Sequence, residues 1–131
     1  FVFEMTESRK KIWQRVLINK DIKKTAHNIK FEQVWTKNIL GYDIQGWYLC
    51  TMLGAHVLDN IQRVGLKELV KKHFRIDDYN SHIEKYLKAK EKGGNEFNRI
   101  DECLKEDLYI YCGLDSLFQY MIARKQERRL K

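Results

Sequence analysis

Residues 24–32 read Lys-Thr-Ala-His-Asn-Ile-Lys-Phe-Glu, and residues 46–53 read Gly-Trp-Tyr-Leu-Cys-Thr-Met-Leu. Each stretch starts with extended character and runs directly into an amphipathic helix. In the first, 24–27 is a short extended segment and a helix follows over about 30–40, with Phe31, Val34, Trp35 and Ile39 as its apolar stripe. Asn28 is a natural cap for that helix, and Glu32 in its first turn suits the positive end of the dipole. Gly41 ends it. In the second, 46–50 has strand character and Thr51 can cap a helix carrying Met52, Leu53, Ala55 and Leu58. Strands alternating with helices predict an α/β layer fold.

The same reading extends in both directions. Phe1-Val-Phe3 predicts a strand cut off at its beginning, and a helix follows over about 8–19, capped by Thr6 or Ser8, with Ile12, Trp13, Val16 and Leu17 inward. Gly65 opens a helical piece with Leu66, Leu69, Val70 and Phe74 correctly spaced. Periodicity fades between about 75 and 98, where residues 88–95 give a polar turn signal, and resumes as helix from about 100. The opening Phe-Val-Phe, without methionine, predicts that further sequence precedes it. The length suits one globular domain over 1–131, and no repeat or low-complexity linker divides it.

Composition narrows the function. Lys and Arg number 25 against 18 Asp and Glu, and the excess of +7 favours a polyanionic partner. Cys50, Cys103 and Cys112 form no C-x-x-C pair, which predicts free thiols in a reducing interior. No apolar run approaches a membrane span, so no membrane partner is expected. His27, His56, His73 and His82 match no compact zinc spacing with the cysteines. Trp13, Trp35 and Trp47 sit at amphipathic positions that predict core rather than base-stacking roles, and the basic run 85–92 predicts a solvated face able to meet phosphates.

The last helix carries the clearest chemical signal. Leu104, Leu108, Tyr111, Asp115, Phe118 and Ile122 follow at spacings of four and three, along one face. Asp115 is the acidic member of an otherwise apolar and aromatic stripe. A carboxylate on a buried face needs a partner, either a bound divalent cation or a basic or backbone donor. Tyr111 lies one turn earlier, so both polar tips can enter one cavity.

Three blocks then resemble one family. Asn28-Ile-Lys-Phe31-Glu32 resembles the second motif of DEDD exonucleases, and Tyr111-Cys-Gly-Leu-Asp115 resembles the Tyr-x-x-x-Asp third motif of the DEDDy branch. Between them, residues 50–59 resemble the family's Asp-Thr-Met-Leu segment, followed by a helix like 65–69. The order and separation resemble the proofreading 3′–5′ exonuclease domains of phage and bacterial family A DNA polymerases, over about residues 8–125.

The resemblance implies a ribonuclease H-like fold, a mixed sheet flanked by helices, and a two-metal mechanism with Mg²⁺ or Mn²⁺. It implies that Asp115 and Glu32 are metal ligands and that Tyr111, Asp115 and Glu32 are catalytic, with Tyr111 orienting the attacking water. Asn28, Lys30 and Phe31 become the substrate-binding residues, Asn28 bracing the site. The implied partners are the 3′ end of single-stranded DNA and an attached polymerase domain, in the cytoplasm of a bacterial or phage-infected cell. Three departures stand beside this. No Asp-x-Glu first motif occurs near the start, although Glu4 offers a degenerate version; reading residues 1–3 as the sheet's third strand places that motif upstream. Glu32 stands where Asp is usual, and Cys50 replaces another Asp. These departures imply little activity from the chain alone, and they leave a non-cleaving, DNA-binding or polymerase-bracing module as the alternative.

Overall fold

The computed structural model describes residues 2–87 and 98–130. Helix α1 (Glu7–Leu17) is capped by Thr6, whose hydroxyl accepts from the Arg9 amide. Strand β1 (Lys24–Ala26) leads into α2 (Ile29–Leu40), and β2 (Trp47–Cys50) leads into α3 (Thr51–Leu58). Then come α4 (Leu66–Phe74), α5 (Ser81–Leu87), a 3₁₀ turn (Ile100–Glu102) and the long α6 (Lys105–Glu127). Strands β1 and β2 pair in parallel, because a helix intervenes and returns the chain to the same sheet end. The fold is therefore mixed α/β and mostly helical, with a two-stranded parallel sheet among the described residues.

Several expectations change. Val2 and Phe3 form no strand, and the described sheet is parallel rather than mixed. Phe1 and the turn at 88–95 lie outside the described residues, as does most of the basic run 85–92. The α2 stripe faces outward: Phe31, Val34, Trp35 and Ile39 are all exposed, while Thr36 on another face is buried. Ile12 is likewise exposed, with Leu17 as the buried member of its helix. Leu53 is exposed, and Cys50 rather than Thr51 occupies the cap of α3. Helix α5 appears where periodicity had faded, anchored by the fully buried Ile83.

The core gathers Ala55 of α3, Leu69 and Val70 of α4, and Phe118 and Ile122 of α6. Phe74 stacks on Phe118 and Tyr79 tilts against it, with centroids at 6.1 and 4.9 Å. Helix α6 reaches the sheet through Gln119, whose Nε2 donates to Thr25 Oγ1 at 3.1 Å. Outside the core, α2 is held by polar contacts. Trp47 Nε1 donates to Gln33 Oε1 at 2.8 Å, and Gln33 Nε2 donates to Asp43 at 2.8 Å.

Candidate active site

A cavity of about 760 Å³ runs along β1, from Ile22 before it to Asn28 past its carboxyl end, between the sheet, α1, α2 and α6. Open parallel α/β sheets place ligands at that end, where strands turn into helices. Its walls are largely apolar, including Trp13, Trp35, Ile44 and Trp47, while Asn28, Glu32 and Asp115 supply polar groups. Two of the three tryptophans read as core, Trp13 and Trp47, are half-buried; all three wall this cavity instead of filling the α3–α4–α6 core.

Each polar group has a local reason for its place. Asn28 caps α2, its Oδ1 accepting from the Phe31 amide at 3.4 Å, which fixes where the chain leaves β1. Glu32, one turn along α2, leans over the cavity. Much of its surface meets solvent, yet the apolar walls beneath desolvate the carboxyl and raise its pKa above the usual range. Asp115 arrives from α6 and is half-buried. Its Oδ1 accepts from the Tyr79 hydroxyl at 2.7 Å. Tyr111, one turn earlier on α6, is half-buried and close enough to feel the Asp115 charge, but it does not line the cavity, so the two polar tips do not both enter it. Burial first, then the charge of Asp115, pushes the Tyr111 phenol well above its ordinary value, so it stays protonated. The carboxylate expected on a buried face is thus met by the Tyr79 phenol rather than by a lysine, arginine or backbone donor.

The remaining sequence candidates separate. Lys30 and Phe31 are exposed on α2 and do not line the cavity. Glu4 lies at the surface, where Lys105 Nζ meets it at 2.9 Å and lowers its pKa through hydrogen bonding. Two groups carried no prior assignment. His27 Nδ1 lies 3.0 Å from Thr51 Oγ1, joining the ends of both strands, and desolvation lowers its pKa against the opposing charge of Asp115. Tyr79 comes from the aperiodic stretch, where no helical spacing could point to it.

A family model described as 3′–5′ exonuclease matches residues 2–131. The chain belongs to the 3′–5′ exonuclease family, of the DNA polymerase A type. No curated protein and no solved structure matches it. Membership makes this exonuclease-family chain a nuclease-type hydrolase domain with a nucleic acid substrate, in a family that typically uses divalent metals.

The donor set can be tested against such an ion. Asp115 and Glu32 give two hard-oxygen carboxylates on one cavity, which suits a magnesium-like ion that completes its shell with water and phosphate oxygens. They do not amount to a four-carboxylate, two-ion set, and among the described residues no three acidic, His or Cys side chains cluster as ligands. Asp115 and Glu32 are the two carboxylates of this exonuclease-family chain that line the cavity. Among the described residues, no helix is long and apolar enough to cross a membrane.

Proposed function

We propose that residues 1–131 are a partial 3′–5′ exonuclease domain of the DEDDy, ribonuclease H-like kind, which hydrolyses phosphodiester bonds at DNA 3′ ends. The single observation that carries this reading is that Glu32 and Asp115, 83 positions apart in sequence, line the same cavity beside the sheet. A divalent ion, Mg²⁺ or Mn²⁺, would supply Lewis-acid stabilisation of charge on phosphate oxygens. Asp115 and Glu32 would hold it, and Tyr111 would orient the attacking water through its protonated phenol. Asn28 braces the turn that aims Glu32. Lys30 and Phe31, exposed on α2 outside the cavity, would meet the incoming strand along that helix. A second ion would need carboxylates beyond those two, consistent with a partial domain that proofreads beside a polymerase domain in the cytoplasm.

The shortage of carboxylates also favours a second reading, a non-cleaving module that binds DNA or braces a polymerase. A nuclease assay separates the two. We expect the natural protein containing these residues to shorten a 3′-labelled single strand in Mg²⁺ or Mn²⁺, and Asp115→Ala to reduce the rate at least a hundredfold, about 3 kcal/mol of barrier. Residues 1–131 alone should show little cleavage. Activity indifferent to Asp115, or none in any metal, leaves the binding module standing.

A further inference from the structure

Asp115 is gripped from outside its own helix. Tyr79 lies in the connection 75–80 between α4 and α5, and its hydroxyl donates to Asp115 Oδ1 at 2.7 Å. Its approach is set by packing rather than by the acid. The ring leans on the buried Phe118 at 4.9 Å. The neighbouring turn is closed by Asp78 Oδ1, which accepts from the Asn80 and Ser81 amides at 3.0 and 2.9 Å. Burial, followed by the hydrogen bond to Asp115, raises the Tyr79 phenol far above its ordinary range, so it remains a donor. A donor whose ring is fixed against the core restrains the carboxylate's rotation about its Cβ–Cγ bond.

We propose that Tyr79 is a positioning residue for Asp115, fixing the plane of its carboxylate so that its remaining acceptor capacity faces the cavity. The inference rests on Asp115 being the cation-bearing acid of the preceding reading. Donors behind a ligating carboxylate hold it in binding geometry, and their removal typically weakens metal affinity by about 10- to 100-fold. Tyr79→Phe keeps the ring on Phe118 and deletes one oxygen, so packing and positioning come apart.

The test uses Mn²⁺ alone as the probe, added to the chain and followed by paramagnetic broadening of amide signals near Asp115. Side-chain couplings report the Asp115 rotamer in parallel. We expect Asp115→Asn to abolish the broadening, and Tyr79→Phe to weaken apparent Mn²⁺ affinity about tenfold. Asp115 should change from one rotamer to an averaged population, with only a small fall in melting temperature. Broadening that survives Asp115→Asn, or is absent from the wild type, sinks the site reading. Broadening that needs Asp115 but is unchanged in Tyr79→Phe, with an unchanged rotamer, overturns the role of Tyr79 and spares the site. An Asp115 already averaged in the wild type overturns it without any variant.

Discussion

At the scale of the residue, Glu32 shows stability and chemistry in opposition. Its carboxyl is desolvated by the cavity walls, and no basic partner is among the causes of its raised pKa. In the unfolded chain it ionises near the ordinary value of 4.5; folded, it holds its proton to higher pH. The folded state therefore binds more protons above that point, and stability is lost as pH rises through the raised pKa. Glu32→Gln removes the charge that must be desolvated. It should raise the melting temperature by about 2 °C at pH 7 and change it little at pH 4, where the carboxyl is mostly protonated in both states. Thermal melts at the two pH values check this; an equal shift at both would assign the effect to packing. In the natural protein, the same substitution should lower metal-dependent cleavage. That Glu32, Asn28 and Asp115 meet at one cavity was legible in the sequence, because the motif spacing singled them out together. Tyr79 was not, since it meets Asp115 across 36 positions and no periodicity predicts that meeting.

At the scale of the element, the strand–helix alternation was legible because chain-local signals set it: Gly41 in the left-handed region, the Asn28 cap, and apolar spacing in α4. Which way a helix faces was not legible. Periodicity says which residues share a face, while only tertiary partners say whether that face is covered. Thus α4 buries its stripe, and α2, equally periodic, exposes its own. The seven-residue α5 offered too few turns to register. Gly46 shows how a connection is fitted to a strand. It has a φ of +73°, and a Cβ there would lie 2.6 Å from the Ile22 carbonyl oxygen and 2.8 Å from that of Lys20. Its own carbonyl accepts from the Lys24 amide at 2.9 Å, so the loop before β1 cannot move away without loosening β1. Gly41 has a similar φ of +80° and open space around its Cβ position. We expect Gly41→Ala to cost about 1 kcal/mol for the left-handed backbone alone, and Gly46→Ala about 3 kcal/mol or more, because backbone atoms must also shift. Urea denaturation of both variants measures the difference; equal losses would remove the steric part of this account.

At the scale of the whole molecule, stability rests on the α3–α4–α6 core more than on charge. The ion pairs Lys10–Glu7, Lys37–Asp43 and Lys71–Asp77 are solvent-exposed, and such pairs contribute about 0–1 kcal/mol each. Beside that core, apolar residues are exposed: Phe31, Val34 and Ile39 as a stripe on α2, Val57 on α3 and Ile61 just beyond it. Single exposed apolar residues are ordinary, but a helix stripe of them offers a surface for association. Ile39 is 63% exposed, so it contributes little to the isolated fold and much to any covering contact. Ile39→Lys should shift the melting temperature by no more than about 2 °C, because little apolar area returns to water. The same change should lower concentration-dependent self-association of the chain, read by light scattering across a dilution series. If the melting temperature instead falls by about 8 °C or more, Ile39 is supporting the core after all, and α2 packs inward in solution.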